Sequence, residues 1–442
     1  PSRSNASCYC IFVIESEGCN MSESRELTCE KFGKLMTIIG AVVAVLGAIL
    51  ILVKNSIKNS GGLTGFWKDI YDLPWFIFLL GCGIIIFGAL KWRRYLGDKT
   101  STMDTSAKAA KTFLLNNGII LALVVMVIVI AIKENRFMQG RVLVDILAQA
   151  SPRMIIALGI CFTLLIAGTD LSACRMVSLA AVISASMLQN PEYPNRFFPD
   201  LPYLPVIVPI VLAIAVCMLF GLLNGFLVAK FDMHPFIATL AVQVIIYGAC
   251  SLYFDLPPNN SQPIGGIRAD FTLLGQKRFF QEALPAINGI PILIPIALLF
   301  VIAIWFVLNK TVFGKNVYAI GGNREAAVVS GINVFKTILC IFVLASALYG
   351  VGGVLEAART AGATNNYGVG YELDAIAACV VGGVSLNGGV GKVSGIIIGV
   401  LIFTIIQYGL QFIGISAMWQ QVIKGIIIAI AVALDLSKYR RK

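Results

Sequence analysis

Charged residues are scarce in this sequence. Of its 442 residues, 34 are Lys or Arg and 23 are Asp or Glu, so only 13% are charged, whereas 58% are hydrophobic. A soluble domain typically has about 25% charged residues, and the composition therefore excludes an ordinary soluble fold. The apolar runs are about 17–25 residues long, the length of a helix that crosses the hydrocarbon core of a bilayer rather than of a barrel strand. The composition predicts an all-α membrane protein.

The groups that catalysis usually requires are also missing from the sequence. There is a single histidine, His234, and the 11 cysteines include no Cys-x-x-Cys pair that would suggest a metal site. No G-x-S-x-G or H-E-x-x-H motif occurs. The segment closest to a phosphate-binding loop, GGVGKVS at 388–394, has Val393 where Ser or Thr must follow Lys392. We predict no catalytic residue, no metal and no cofactor in this chain. If its function uses ATP, then ATP and Mg would be bound by a separate ATPase chain.

The apolar runs predict a polytopic transmembrane helical bundle of about 12 helices. The N-terminal segment 1–34 is polar. We expect translation to start at Met21, which would leave residues 1–20 as upstream or tag-like sequence. A two-helix extension with its linker follows at 35–107, and a ten-helix core occupies 108–442. The predicted spans are 35–53, 75–90, 112–132, 154–169, 172–189, 205–228, 235–254, 291–308, 337–357, 373–390, 394–412 and 419–435.

The net charge of +11 is distributed over short loops and does not form a basic patch interleaved with aromatic residues. Such a distribution indicates membrane topology rather than nucleic-acid binding, and we predict no nucleic-acid partner. With the N-terminus inside, Lys and Arg are more frequent in the cytoplasmic segments, and the basic tail KYRRK is cytoplasmic too. The charge distribution predicts a multi-pass membrane protein with both termini in the cytoplasm, and the family resemblance described below implies that the membrane is the bacterial inner membrane.

The long cytoplasmic segment 309–336 contains Glu325-Ala326-Ala327 and, after three further residues, Gly331. Alanine favours a compact helix, glutamate is suited to a basic partner, and glycine permits a left-handed helix end. The pattern alone fits any amphipathic helix, but in a cytoplasmic loop between two spans it resembles the E-A-A-x-x-x-G coupling loop of importer permeases, which implies docking on a cytoplasmic ATPase. The predicted coupling residues are Gly321, Gly322, Asn323, Glu325, Ala326, Ala327 and Gly331.

Ionisable residues within spans are costly and therefore suggest function. Asp170, Glu372 and Asp374 lie at predicted helix N-termini, where their carboxylates would cap free amides and interact favourably with the helix dipole. The alternative is direct contact of these carboxylates with a solute. Lys424 either extends towards the membrane surface or pairs with a carboxylate inside the bundle. The predicted translocation path comprises Asp170, Ser172, Asn224, Asn365, Asn366, Tyr367, Glu372, Asp374 and Lys424.

Several segments together resemble the ABC-type monosaccharide importer permeases of the ribose/galactose family, over about residues 112–442. The segments that carry the resemblance are GTDLSACRMVSLAAVI, GLLNG, HPFIATLA, FGKNVYAIGGNREAAVVSGINV, ATNNYGVGYELDAIAACVVGGVSLNGGVG and WQQVIKGIIIAIAVALD. Cys174 stands where the family usually has Gly, and His234 where it has Thr.

The resemblance implies a ten-helix core that pairs as a homodimer in the lipid bilayer. It implies a cytoplasmic sugar-importer ATPase with two fused nucleotide-binding domains, which the Glu325–Gly331 loop contacts, and a periplasmic sugar-binding protein that docks on the outer loops 190–204 and 255–290. Galactose, a methyl galactoside or glucose is favoured over ribose, xylose or a nucleoside. The sugar would pass between two copies by alternating access.

Two other classes of function are considered. A secondary transporter would require paired carboxylates on discontinuous helices in symmetric positions, and the DLSA (170–173) and ELDA (372–375) segments are candidates for such a pair. Their carboxylates, however, fall at predicted helix ends, and the Glu325–Gly331 loop would then have no purpose. Uptake that survives ATP depletion would favour that class. An intramembrane enzyme would require a nucleophile–base or metal constellation, which the sequence lacks. Hydrolysis of a lipid or peptide by the purified chain alone would favour this class.

Overall fold

The computed structural model describes Ile130, residues 134–284 and residues 288–439. The predicted segment 1–34, the extension 35–107 and most of the span at 112–132 lie outside the described residues.

The predicted all-α fold is confirmed for the described residues, which form 12 α-helices, one 3₁₀ helix (Asn135–Met138) and one two-stranded hairpin. The helices are α1 Gly140–Leu165, α2 Ala173–Met187, α3 Ile207–Lys230, α4 Pro235–Phe254, α5 Ala269–Gln276, α6 Leu293–Lys310, α7 Val312–Gly322, α8 Arg324–Val329, α9 Val334–Thr360, α10 Tyr371–Val381, α11 Val393–Phe412 and α12 Ala417–Tyr439. The strands are β1 Arg278–Phe279 and β2 Ile290–Pro291, paired antiparallel.

Within the described part of the chain, six helices are long and apolar enough to cross a membrane: α1, α3, α4, α6, α9 and α11. By contrast, α2 has 15 residues and α10 has 11, so at about 1.5 Å per residue they extend only about 22 and 16 Å. Each therefore crosses only part of a hydrocarbon core of about 30 Å. The bundle combines complete spans with two partial ones.

Two predicted boundaries are wrong. The span predicted at 154–169 begins at Gly140, because Asp145 and Arg153 lie within α1 rather than in a preceding loop, and Pro152 is accommodated inside the helix. The span predicted at 373–390 ends at Val381. There Gly383 has φ +87° and its N–H bonds to the carbonyl of Val380, while the next N–H bonds to the carbonyl of Cys379. This is a Schellman-type helix end, which a glycine pair favours.

The bundle contains two similar groups of four helices, α1–α4 and α9–α12. Each group consists of a long helix, a partial helix and two further helices. The long helices are exchanged: α1 packs on α10 and α11, and α9 packs on α2 and α3. This is the arrangement of interlocked repeats, a common plan of membrane transporters.

The two ends of the bundle are distinguished by their contacts. At the hairpin end, Arg278 of β1 pairs with Asp145 of α1 at 2.5 Å, and Ile264 forms a bridge with Ala363, just after α9. At the coupling end, α7 and α8 lie against the end of α1 and the start of α9. Thus α1 runs from the hairpin end to the coupling end, and α9 runs in the opposite direction.

The predicted outer segment 255–290 is not an open loop, since it contains α5 and β1. Arg268, which is 7% exposed, pairs with Asp270, and its guanidinium lies 3.6 Å from the centre of the Tyr203 ring. The hydrogen bond from Arg268 lowers the pKa of the Asp270 carboxyl. These contacts give the hairpin end a defined surface.

Candidate functional site

The N-termini of the partial helices α2 and α10 meet inside the bundle. Leu188, after α2, accepts a backbone hydrogen bond from Arg268 at the hairpin end, whereas the loop after α10 contacts Leu165 at the coupling end. The two helices therefore run to opposite ends from a shared middle. There Ser178 of α2 donates a hydrogen bond to the carbonyl of Tyr367. Two helix N-termini, each with partial positive charge, lie near the centre of the bundle.

Asp170 lies immediately before α2 in a closed polar cluster. Its Oδ1 accepts from the backbone N–H of Ser172 at 2.9 Å and from the Ser172 hydroxyl at 2.6 Å. Asn224 of α3 donates to the same hydroxyl at 2.9 Å. All three residues are fully buried. Asp170 thus stabilises the turn that leads into α2 and forms no ion pair with Arg175.

Thr239 holds α4 against the same turn. Its hydroxyl accepts from the backbone N–H of Leu171 at 3.1 Å and lies 3.2 Å from the carbonyl of Thr169. We call Asp170, Ser172, Asn224 and Thr239 the closed cluster. It is held by neutral side chains and backbone groups around one carboxylate.

Four predicted path residues come together around Arg175, in the first turn of α2. Its Nη1 donates to the carbonyl of Asn365 at 3.3 Å and lies 3.5 Å from Oδ1 of Asn366. Tyr367 accepts from Ser178 one turn further along α2. Glu372, in the first turn of α10, is 8% exposed. The segment between α9 and α10 thus brings Asn365, Asn366 and Tyr367 to the start of α2, and the first turn of α10 adds Glu372.

The outer side of this group is formed by α4. The Arg175 guanidinium lies 4.1 Å from the centre of the Tyr247 ring, and Gln243 Nε2 lies 3.7 Å from the sulfur of Cys174. We call the combined group the midplane surface; its members are Arg175, Gln243, Tyr247, Asn365, Asn366 and Glu372. It carries a cation, a carboxylate, amides and an aromatic ring.

Asp374 and Lys424 are brought together on the other side of α10. Lys424 Nζ lies 2.9 Å from both carboxylate oxygens, and the two side chains are 14% and 13% exposed. Of the two alternatives for Lys424, the structure shows pairing inside the bundle. The pair adjoins a cavity lined by Arg153, Tyr371, Asp374, Thr404 and Gln407, among others. We call this the charged cluster.

The predicted coupling loop forms two short helices. Asn323 separates them and caps α8, its Oδ1 accepting from the N–H of Ala326 at 2.9 Å. Ala327 is 3% exposed and packs on the core residues Val228 and Phe342. Gly331 has φ +79°, and a Schellman-type pair of hydrogen bonds ends α8 there. Glu325 and Ala326 are exposed, as is Val329 at 89%.

Glycines join α7 to the core at the coupling end. The N–H of Gly389 donates to the carbonyl of Leu165 at 2.8 Å, and Tyr318 of α7 donates to the carbonyl of Gly391 at 2.9 Å. A Cβ on Gly321 would overlap the Leu165 carbonyl oxygen and lie 2.6 Å from the Gly389 nitrogen. We call residues 382–392 the glycine loop. It connects α7 directly to the end of α10.

Sequence reasoning missed Arg153, Arg175 and Tyr318. Arg175 was detectable as a cation inside an apolar span, but its neighbours on α4 come from a distant part of the chain. Among the described residues, no group of three or more His, Cys, Asp or Glu is arranged to bind a metal.

Comparisons with known proteins agree with this architecture. Residues 142–432 match the family model described as the permease component of the branched-chain amino acid transport system. The galactose/methyl galactoside import permease protein of Haemophilus influenzae is 48% identical over 326 residues, covering 74% of this chain and 95% of the relative. Its Escherichia coli counterpart is 46% identical over 335 residues, covering 76% and 98%.

A ribose import permease protein of Bacillus subtilis is 36% identical over 323 residues, covering 73% of this chain and 92% of the relative. No solved structure matches the chain. With a multi-helix membrane bundle and relatives of nearly full length, this chain belongs to the family of branched-chain amino acid transport system permease components, the membrane-embedded transport subunits of ABC importers.

Proposed function

We propose that this chain translocates galactose, a methyl galactoside or glucose into the cytoplasm as the permease subunit of an ATP-driven importer. The observation that carries the proposal is the 48% identity to a galactose/methyl galactoside import permease over 95% of that protein. Identity to a ribose import permease is lower, at 36%. Ribose, xylose or a nucleoside is the alternative solute within the same class.

The proposed partners are a separate ATPase with two fused nucleotide-binding domains and a periplasmic sugar-binding protein. The surface of α8 supports the first, because it offers exposed Glu325 beside Val328 and Val329, which are 57% and 89% exposed. Exposed aliphatic side chains on a rigid capped helix suit docking on a protein groove. The hairpin end would receive the binding protein, and both termini of the chain would lie in the cytoplasm.

The proposed path runs along the midplane surface between two copies of the chain. Tyr247 is 42% exposed there, and Asn366 is exposed too. Polar and charged groups at this depth are unfavourable against lipid and usually face a water-filled route or another protein. A second copy would exclude lipid and close the route. Within it, Asp170, Ser172 and Asn224 would hold α2 in place, and Asp374 and Lys424 would hold α12.

Conformational changes of the ATPase would be transmitted to the permease through α7 and α8. Because Gly321 and Tyr318 contact Leu165 and the glycine loop, movement of α7 would displace the end of α10. The start of α10 carries Glu372, so the midplane surface would change as the coupling helices move.

Uptake of labelled galactose tests the proposal. Cells that lack their own sugar importers would express this chain with its ATPase and binding protein, and wild type would be compared with Gly331→Asp and Gly331→Asn. Nothing lies within 4 Å of a Cβ at position 331, and both residues tolerate a positive φ better than most. The two variants differ in charge alone, so only Asp should strongly reduce uptake if this surface docks on the ATPase.

The proposal predicts saturable, ATP-dependent uptake that Gly331→Asp abolishes while the chain remains in the membrane. This result would support both the assignment as an ATP-driven importer permease and the role of the Glu325–Gly331 loop in coupling. Uptake of a different sugar or of a nucleoside would retain the class and change the solute. Uptake that is indifferent to ATP depletion and to both variants would instead support a secondary transporter.

A further inference from the structure

Arg175 occupies a position that does not favour a cation. It lies in the first turn of α2, where the helix end carries partial positive charge. It is also half-buried at a depth where an arginine is unfavourable against lipid. Among the described residues, none of the ion pairs involves it. No ion pair within the described residues therefore accounts for this charge.

The hydrogen-bonding capacity of Arg175 is largely unused. A guanidinium has five N–H donors. Within the described part of the chain, only its Nη1 makes hydrogen bonds, and these are long, at 3.3 Å to the Asn365 carbonyl and 3.5 Å to Asn366 Oδ1. The face of Tyr247 orients the group without using a donor. Several donors thus remain for a molecule that approaches the midplane surface.

Unpartnered acceptors lie on the same surface. Oε1 of Gln243 and Oε2 of Glu372 are buried and have no hydrogen-bond partner. Both side chains lie near Cys174, the residue that precedes Arg175. Buried acceptors without partners are rare in folded proteins, and each is costly unless a ligand or water completes it.

We infer that Arg175 donates hydrogen bonds to hydroxyl groups of the sugar as it passes the midplane surface, and that it thereby contributes to sugar selection within the permease. Vicinal hydroxyl oxygens on a pyranose ring match the fork of guanidinium donors. Gln243 and Glu372 accept from other hydroxyls, and the exposed ring of Tyr247 suits the C–H face of the sugar. The inference rests on the proposed function.

The composition of the surface favours a neutral solute over an anion. A phosphate or carboxylate would bind Arg175 more strongly, but Glu372 on the adjacent helix would repel it. A neutral polyhydroxylated molecule uses the donors and the acceptors together. This arrangement also suits release, because no single strong ion pair retains the solute.

The inference is tested by a double cycle, in which the Arg175 side chain and single sugar hydroxyl groups are removed separately and together. Uptake by the complete complex would be measured for galactose and for its 2-, 3-, 4- and 6-deoxy analogues, with wild type, Arg175→Gln and Arg175→Lys. Each rate would be divided by the wild-type rate for the same sugar, which removes the preference of the binding protein. Arg153→Gln is the matched control, because it removes another arginine from a span but faces the charged cluster.

For Arg175→Gln we expect galactose uptake to fall about 10-fold, as for loss of a hydrogen bond to a charged group. Uptake of the deoxy analogue that lacks the contacted hydroxyl should fall less than about 2-fold, because the interaction is already absent. Arg175→Lys should retain part of the galactose rate. Arg153→Gln should change all sugars by the same factor.

An equal loss for every analogue, with normal amounts in the membrane, would assign Arg175 a structural role and overturn the inference. Unchanged uptake in Arg175→Gln would overturn it as well. Absence of ATP-dependent sugar uptake in the wild-type complex would instead refute the proposed function, and the inference with it.

Discussion

The two helix groups hold their partial helices by different means. In α1–α4, the start of α2 is fixed by the closed cluster, in which Asn224 and Thr239 contact a fully buried turn. In α9–α12, the start of α10 is fixed by charged groups: Lys424 pairs with Asp374, and Glu356 of α9, which pairs with Arg359, accepts a hydrogen bond from the Tyr371 hydroxyl at 3.0 Å. A cavity adjoins this second arrangement.

This difference indicates which helix moves. The closed cluster fixes the turn before α2 through hydrogen bonds of 2.6–3.2 Å around one carboxylate, although Oδ2 of Asp170 and Oδ1 of Asn224 are buried there without a partner. The ions beside the cavity, by contrast, can exchange partners with one another. The glycine loop, which follows α10 directly, also accepts a hydrogen bond from Tyr318 of α7. We therefore expect α2 to remain a fixed support and α10 to be the element that ATP hydrolysis displaces.

The largest effect is expected from Lys424→Met. It leaves the Asp374 carboxylate without its cation in a poorly hydrated site, which typically costs about 3–5 kcal/mol. Thermal unfolding of the detergent-purified chain should show a clearly lower midpoint. The double variant Lys424→Met/Asp374→Leu should recover most of the loss, because no unpaired charge remains. A double variant as unstable as the single one would contradict the ion-pair account of this half.

A smaller loss of stability but a strong loss of transport is expected for Gly321→Ala. The added methyl group would collide with the Leu165 carbonyl, and overpacking of this kind costs about 1–3 kcal/mol. Sugar uptake per ATP hydrolysed should fall, since α7 can no longer seat on the glycine loop. Gly322→Ala is the control, because nothing lies within 4 Å of a Cβ at that position. Equal effects of the two variants would remove the glycine contact from the coupling route.

Tyr318→Phe tests the contact between α7 and the glycine loop with a smaller structural change. It removes one hydrogen bond to the Gly391 carbonyl, worth about 1 kcal/mol, and no other heavy atom. We expect a loss of transport of a few-fold while ATP hydrolysis by the assembled complex is retained. Tyr408→Phe provides the comparison, because that ring is partly buried and stacked on Phe412 without contacting the glycine loop. A parallel fall in hydrolysis and uptake would contradict a relay role.

The smallest effect is expected in the fixed half. Asn224→Leu removes one hydrogen bond to the Ser172 hydroxyl in a fully buried site, which should cost about 1 kcal/mol of stability. The ratio of uptake rates among sugars should not change, because the side chain lies away from the midplane surface. A changed sugar preference in this variant would return Asn224 to the solute path and break the distinction between the halves.

Local patterns predicted much of this architecture. The apolar runs at 235–254 and 394–412 predicted α4 and α11 to within one residue, because long apolar periodic segments leave little choice in lipid. The φ of Gly331 followed from its place after a short helix. The carboxylate of Asp170 was correctly placed before a helix.

Contacts between distant segments could not be predicted. The pairing of Lys424 with Asp374 depends on how α12 packs on α10, and no spacing along the chain encodes it. α10 ends early at the pair Gly382-Gly383. The sequence does not predict this end, because a glycine pair is equally typical of closely packed membrane helices. The neighbours of Arg175 are supplied by α4 and by the segment after α9, and only the folded bundle brings them together.

The exchange of long helices has a consequence for biosynthesis. α1 packs on α6, α9, α10 and α11, and three of these four partner helices are translated only after Lys310. Until then, a newly inserted α1 carries Arg153 without Gln407 of α11, the residue to which its guanidinium donates a hydrogen bond. The nascent chain therefore depends on insertion machinery or lipid headgroups to shelter this helix. A polypeptide truncated after Lys310 should be removed by membrane proteases, even though most of its spans are already complete.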